Sequence, residues 1–132
     1  MYLSWIIPTY NEERRIEKTI REVAAYLRAK QFDYEIIVAD SASRDRTPEI
    51  VNKLAAEFSA KSGNIRLVPV ENRGKGYAVK NGMLSARGDI RLFSDADNST
   101  APSYFDGMLP LFQKGFDVVI SSRDPKDAKG AS

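Results

Sequence analysis

The sequence predicts an α/β fold, in which a mostly parallel, Rossmann-like sheet is covered by helices on both faces. Apolar runs alternate with amphipathic segments along the chain, and each run is nearly continuous in apolar residues, as is typical of strands buried on both faces. Most runs also end at a polar loop. Because crossovers between parallel strands are right-handed, this alternation favours a doubly wound layer with the central strand order 3-2-1-4.

The first two strands are assigned from apolar runs that stop at a marker residue. Residues 3–7 form the first and Pro8 closes it, whereas residues 34–39 form the second, which ends at Asp40. Between them a helix is predicted to start at Glu12, because apolar residues then recur on one helical face. That face consists of Ile16, Ile20, Val23 and Leu27.

The second helix and the third strand follow. Thr47 and Pro48 begin the helix, with a hydroxyl at the cap and proline at the first helical position, and Gly63 ends it. The third strand covers residues 65–70. Pro69 cannot donate a ladder hydrogen bond, so this strand is expected at the edge of the sheet.

A third helix follows Gly76, runs to about Ala86 and leads into a fourth strand at residues 90–93. Pro102 is expected to open another helix, and residues 116–121 to form a fifth strand. Residues 1–123 are thus predicted to form one domain and residues 124–132 a flexible C-terminal end. No closing helix follows the fifth strand, so the chain is expected to be the N-terminal part of a larger catalytic domain.

Composition limits the chemistry. The 132 residues carry a net charge of +2, which is too small to indicate nucleic-acid binding, and they include no cysteine and no histidine. Chemistry must therefore use carboxylates, Lys, Arg, hydroxyl groups or a metal held by oxygen. No apolar run approaches the ~20 residues that span a bilayer, and no signal-peptide pattern is present, so the chain is expected to be soluble as given.

Two carboxylates, Asp95 and Asp97, directly follow the fourth strand. In open α/β sheets, ligands bind at the carboxyl ends of the strands. In a turn the two acids can converge on one point, where a Mg²⁺-like ion with oxygen ligands would offset their charge and bind substrate phosphates. The alternative is an acidic turn in which Asp97, Asn98 or Ser99 caps the next helix.

Other loops are expected to meet at the same edge. The loop after the first strand (residues 8–13) and the Asp95 loop would flank the crevice, and Asp40 would lie one strand further along. Residues 73–76 could fold over the crevice, because glycines at 74 and 76 allow the backbone to approach a ligand closely. Arg73 and Lys75 in this loop add positive charge that could bind phosphate. The alternative for this last loop is a tight turn with solvated basic side chains.

Each single residue also has a structural interpretation. Asp40 could bond a base or ribose, or could accept hydrogen bonds from the Ser41 or Ser43 amides as a turn acid. Tyr10 could lie against a base or pack on the first helix. Glu12 could contact a nucleotide or serve the helix N-terminus, and Asp45 is interpreted as a turn acid.

Four segments together resemble family 2 inverting glycosyltransferases with the GT-A fold, particularly those that use dolichyl or polyprenyl phosphate, such as dolichyl-phosphate β-glucosyltransferases. The segments are residues 6–13, 36–47, 72–76 and 95–97, in this order and at the family's spacing. The family usually has a second Asp and then Gly where this chain has Ser41 and Ala42.

The resemblance implies roles for named residues. Pro8, Thr9, Tyr10 and Glu12 would line the nucleotide pocket, and Asp40 would contact the base. Lys75, with Arg73 and Gly74, would lie near the diphosphate. Asp95, beside Ala96, would lie near the ribose and the metal's water shell, and Asp97 would bind Mg²⁺ or Mn²⁺; Asp95, Asp97 and Lys75 would be the catalytic set. Arg123 would lie near phosphate groups.

The resemblance also implies the reaction. The expected activity is inverting, metal-assisted transfer of a sugar from a nucleoside diphosphate sugar, with UDP-glucose favoured, to a polyprenyl or dolichyl phosphate. A phosphate acceptor, unlike a hydroxyl, needs no general base, which fits a chain without an evident one. Nucleic acid is not an expected partner. A membrane surface is an expected partner only through parts outside this chain, and the expected location is cytoplasmic, at the cytoplasmic face of a membrane. The alternatives are a nucleotide-sugar binding module without turnover and a transferase that uses a hydroxyl acceptor.

Overall fold

The computed structural model describes residues 2–59, 64–71 and 74–96. Strands and helices alternate along these residues in the predicted order. The elements are β1 (Tyr2–Thr9), α1 (Ile16–Ala29), β2 (Asp33–Asp40), α2 (Thr47–Ser59), β3 (Ile65–Pro69), α3 (Lys75–Ser85) and β4 (Ile90–Phe93).

The four strands form one parallel sheet in the order β3-β2-β1-β4, as predicted. β1 pairs with β2 over its whole length, from Tyr2 opposite Asp33 to Thr9 opposite Asp40. The placement of β3 at an edge is confirmed among these four strands, and Pro69 there is exposed. All four carboxyl ends lie at one edge, because the strands are parallel.

Two apolar cores lie on the two faces of this sheet. The larger core holds α1 and α2 against the strands, with Trp5, Ile20 and Leu54 among its buried members. The smaller core holds α3 against Ile6 and Ile37, which belong to the opposite face because side chains alternate along a strand. This alternation explains why the apolar runs were continuous: each strand supplies both cores.

The first strand is longer than predicted, since β1 continues through Pro8 and Thr9. Proline is tolerated there because β4 pairs with β1 only as far as Ile6. Ile6 directs its carbonyl towards the β4 side, where it accepts the Ser94 N–H at 3.0 Å. Pro8, two residues on, has the same orientation, and so its missing N–H costs no ladder bond with β4.

The first helix starts later than predicted. Residues 12–15 form a turn in which the Glu12 carbonyl accepts hydrogen bonds from the Arg15 and Ile16 amides, and α1 begins only at Ile16. The apolar periodicity located the helix, but not this preceding turn.

The second helix begins at Thr47, as predicted, but the Thr47 hydroxyl makes different bonds from those expected. It donates to Asp45 Oδ1 at 2.6 Å and accepts the Glu12 N–H at 2.8 Å, while Asp45 Oδ1 also accepts the Thr47 N–H. The predicted end of this helix at Gly63, the helix from Pro102 and the strand at residues 116–121 lie outside the described residues. None of the described helices has the length and apolar character needed to cross a membrane.

Candidate functional site

A cavity of about 350 Å³ lies at the carboxyl edge of the sheet, between the segments that follow the four strands. This volume is at the lower end of the usual range for ligand pockets, about 300–1,000 Å³. Eight residues singled out from the sequence line it: Pro8, Thr9, Tyr10, Glu12, Gly74, Lys75, Asp95 and Ala96. The expected convergence of separate loops at one edge is thus observed for these residues.

The segment after β1 is held in place by the loop after β2. Asn11 adopts a left-handed backbone conformation with φ of 53°. Its N–H donates to Ser43 Oγ at 2.8 Å, and its Oδ1 accepts the Arg44 N–H at 2.9 Å. The Glu12 N–H is fixed by Thr47, so the cavity wall that carries Tyr10 and Glu12 is positioned by α2 as well as by β1.

Asp45 anchors the same loop from outside the cavity. Burial would raise the pKa of its carboxyl group, but hydrogen bonds from the Thr47 hydroxyl, the Thr47 N–H and the Glu13 N–H lower it below the ordinary value. The residue therefore acts as the turn acid that the sequence indicated.

Asp40 is buried at the end of β2 and accepts three hydrogen bonds. Oδ1 accepts from the Thr9 hydroxyl at 2.6 Å and from the Ser43 hydroxyl at 2.5 Å, and Oδ2 accepts the Ser43 N–H at 2.9 Å. The turn-acid interpretation thus describes the contacts of Asp40. Asp40 does not line the cavity itself but fixes Thr9, which does.

Asp95 follows β4, and both of its neighbours are tethered. Ser94 donates its N–H to the Ile6 carbonyl, and its Oγ accepts the Trp5 indole N–H at 2.7 Å. On the other side, the Thr19 hydroxyl of α1 donates to the Ala96 carbonyl. The backbone that carries the Asp95 carboxylate is therefore held to both β1 and α1.

Lys75 and Asp95 meet across the cavity. Lys75 Nζ lies 2.6 Å from Asp95 Oδ1 and 5.8 Å from the centre of the Phe93 ring. The side chain of Asp95 is 13% exposed and that of Lys75 is 48% exposed, so the pair is open to solvent mainly on the lysine side. Gly74 precedes the lysine with φ of 125°, a conformation that glycine adopts without strain.

Sequence reasoning missed three lining residues, Arg15, Ser41 and Ala78. Arg15 pairs with the Glu12 carboxylate three positions earlier, a spacing that brings side chains together in a helical turn. The i, i+3 spacing of opposite charges was therefore a usable signal. Ser41 occupies the position where the family usually has a second Asp after β2, and that position was a usable signal as well. Ala78 carries no comparable sequence signal, since its placement depends on how α3 meets the cavity.

Arg73, Asp97 and Arg123 lie outside the described residues, and their site roles remain predictions. Among the described residues there is no group of three or more acidic side chains that could hold a metal ion. Mg²⁺-type ions usually need only one or two protein carboxylates, together with water and substrate phosphates. The oxygen chemistry and fixed backbone of Asp95 fit such an ion, with Asp97 as the second predicted ligand.

A family model described as glycosyl transferase family 2 matches residues 4–131. Several similar proteins are named dolichyl-phosphate beta-glucosyltransferase. The one from Drosophila melanogaster is 44% identical over 111 residues, which cover 77% of this chain and 33% of the relative. The one from Homo sapiens is 38% identical over 104 residues, which cover 74% and 32%.

Solved structures agree with this result. A mannosyltransferase from Pyrobaculum calidifontis, in complex with GDP-Man and Mn²⁺, superposes with a TM-score of 0.62 at 32% identity, over 77% of this chain and 31% of that one. Glucosyl-3-phosphoglycerate synthase from M. tuberculosis gives a TM-score of 0.59 at 27% identity, over 86% and 40%. The chain spans about one third of the length of the relatives it matches.

Proposed function

Because the chain belongs to glycosyl transferase family 2 and has the GT-A fold, we propose that it carries the donor site of an enzyme that glycosylates a lipid phosphate. The donor is a nucleoside diphosphate sugar, with UDP-glucose favoured, and the acceptor is a polyprenyl or dolichyl phosphate. The names of the relatives support this choice of acceptor and sugar. The observation that carries the proposal is the cavity in which Lys75 and Asp95 meet beside the end of β1.

The proposed reaction is an inverting displacement at the sugar C1. An acceptor phosphate oxygen forms the new bond to C1, and the bond between C1 and the diphosphate oxygen breaks, so the leaving nucleoside diphosphate takes the electron pair. The second pKa of a phosphate monoester is about 6, so the acceptor is already nucleophilic at neutral pH and has no proton to lose. A hydroxyl acceptor would instead need a general base.

The described residues contribute binding and orientation. Tyr10 and Glu12 line the wall on which the nucleoside is expected to lie. The Lys75 ammonium group, which pairs with Asp95 in the cavity, would offset charge on the leaving diphosphate when it binds there. Asp95, and Asp97 by sequence, are the proposed ligands of Mg²⁺ or Mn²⁺. When bound, such an ion supplies positive charge that stabilises the departing diphosphate.

Binding and turnover test this proposal together. The chain is titrated with UDP and with GDP in the presence and absence of Mn²⁺, and is also incubated with labelled UDP-glucose and either a polyprenyl phosphate or a hydroxyl acceptor. We expect Mn²⁺-dependent UDP binding that Asp95→Asn weakens at least tenfold. The matched control is Asp89→Asn, which alters an exposed acid just before β4, at the opposite end of that strand, and should bind like the unmodified chain.

The outcomes separate the candidate functions. Glycosylated lipid phosphate would support the transferase, and transfer to a hydroxyl compound instead would favour the other acceptor class. Binding without any product would favour a nucleotide-sugar binding module. Absence of UDP and GDP binding would reject the donor site. Association with a membrane surface is part of the proposal, and flotation with lipid vesicles tests it.

A further inference from the structure

The ammonium group of Lys75 occupies the side of Asp95 where a cation would be expected to bind. Its Nζ lies 2.6 Å from Oδ1, and the Asp95 side chain is only 13% exposed. The carboxylate cannot turn away easily, because Trp5 and Thr19 hold the residues on either side of it. A metal ion that approaches Asp95 must therefore displace the ammonium group or share the carboxylate with it.

The lysine is the more mobile partner of this pair. Its side chain is 48% exposed, it has four rotatable methylene groups, and it lies at the first position of α3 next to Gly74. Its Nζ also lies 5.8 Å from the centre of the Phe93 ring, a contact that does not require one fixed position of the ammonium group. Exchange of partners is thus expected to move Lys75 rather than Asp95.

We propose that Lys75 blocks Asp95 against metal ions in the empty site, and that the diphosphate of the incoming nucleotide releases the block by binding the ammonium group. This inference rests on the proposed function, because it assumes that a nucleoside diphosphate occupies the cavity. Metal and diphosphate then bind cooperatively, because the metal binds Asp95, the diphosphate binds Lys75, and either event separates the pair. The lysine selects the metal–nucleotide complex over the free ion.

Linkage makes the proposal quantitative. If the diphosphate raises the affinity for Mn²⁺ by some factor, Mn²⁺ must raise the affinity for the diphosphate by the same factor. Removing the Lys75 charge should have opposite effects on the two ligands. Mn²⁺ alone should bind more tightly, because its competitor for Asp95 is gone, whereas UDP should bind more weakly, because it loses a cationic partner.

The test measures Mn²⁺ binding by the loss of the free-ion EPR signal, with and without UDP, and needs no turnover. For Lys75→Gln we expect Mn²⁺ alone to bind about fivefold more tightly than to the unmodified chain, with the coupling to UDP reduced by a similar factor. Lys80→Gln is the matched control, because Lys80 is an exposed lysine of the same helix that does not line the cavity. It should leave both affinities unchanged.

A second variant shows whether Asp95 is the site of competition. In an Asp95→Asn background, Lys75→Gln should no longer raise the affinity for Mn²⁺. If the gain persists there, or if Lys75→Gln binds Mn²⁺ alone no better than the unmodified chain does, the proposed block is wrong. If the unmodified chain binds neither UDP nor GDP with Mn²⁺, the proposed function fails instead, and the two failures are thereby distinguishable.

Discussion

Ala42 adopts a backbone conformation that residues with a Cβ atom disfavour. It has φ of 52°, in the left-handed region, and it occupies the position where the resembled family usually has glycine. A Cβ atom in this region costs roughly 1 kcal/mol relative to glycine. Alanine in place of the family's usual glycine therefore strains the backbone at position 42, which the sequence motif alone did not show.

We predict that Ala42→Gly raises the free energy of unfolding by about 1 kcal/mol, because it relieves this strain. Urea denaturation followed by circular dichroism measures the change. The control is Ala25→Gly in the exposed interior of α1, which should lower the free energy of unfolding by about 1 kcal/mol. A destabilising effect of Ala42→Gly would contradict the assigned conformation.

Glu35 is a fully buried carboxylate at the amino end of β2, away from the cavity. It accepts hydrogen bonds from the Ser4 hydroxyl at 2.6 Å, the Arg87 N–H at 2.7 Å and Arg66 Nε at 3.1 Å. Burial alone would raise the pKa of Glu35, but these donors together lower it below its ordinary value. The charged form is therefore stabilised in the folded chain.

A lowered pKa has a defined effect on stability. Since Glu35 loses its proton more readily when folded than when unfolded, it stabilises the fold above its ordinary pKa of 4.5, and the contribution is lost as the pH falls through the folded value. Glutamine does not titrate. We therefore predict that, in Glu35→Gln, the urea concentration at the unfolding midpoint decreases less steeply as the pH falls below about 4.5. The slope that remains should include Asp45, whose pKa is also lowered. An unchanged slope would rule out this role of Glu35.

At the scale of elements, α3 approaches the sheet closely at one glycine. A Cβ atom on Gly82 would lie 2.6 Å from Cγ2 of Ile6, which is fully buried in β1. A Cβ atom on Gly76, six residues earlier in the same helix, would meet nothing within 4 Å. The two glycines of α3 thus serve different purposes.

We predict that Gly82→Ala lowers the free energy of unfolding by about 2 kcal/mol, because α3 must shift away from β1 or Ile6 must repack. Gly76→Ala is the matched control and should be neutral or stabilising by up to about 1 kcal/mol, since alanine favours a helix. Thermal denaturation of both variants measures the difference. Equal effects of the two substitutions would argue against the close packing at Gly82.

Sequence periodicity predicted these elements better than their ends. The type and order of the seven described elements follow from apolar patterns and marker residues such as Pro69. The continuation of β1 through Pro8 could not be predicted, because it depends on where β4 stops pairing. The turn before α1 is likewise set by a tertiary contact, the hydrogen bond from Glu12 to Thr47.

The site was predicted to the extent that it depends on topology. Parallel strands in this order bring their carboxyl ends together, so the sequence alone predicts that the segments of Tyr10, Lys75 and Asp95 meet at one edge. The pairing of Lys75 with Asp95 could not be predicted, because it depends on the direction in which α3 enters the sheet edge. The hydrogen bonds that Trp5 and Thr19 make to the neighbours of Asp95 could not be predicted either, because they come from two different elements, β1 and α1.

At the scale of the whole molecule, stability is expected to vary across the sheet. β1 and β2 are central and almost wholly buried, whereas β3 lies at an edge, with partly buried residues and an exposed Pro69. We predict that backbone amides of β1 and β2 exchange hydrogen only through global unfolding, and that those of β3 exchange at least tenfold faster. Hydrogen–deuterium exchange mass spectrometry measures this, and uniform protection across the strands would contradict it.

Trp5 gives the molecule an optical reporter of its own. It is the chain's only tryptophan, and its indole N–H donates to the Ser94 hydroxyl, one residue before Asp95. Indole emission is sensitive to hydrogen bonding and to nearby charge, and this ring is shielded from solvent. Arrival of a divalent ion or a nucleotide beside Asp95 should therefore change the intrinsic fluorescence of the unlabelled chain, and that change can be followed in a stopped-flow instrument.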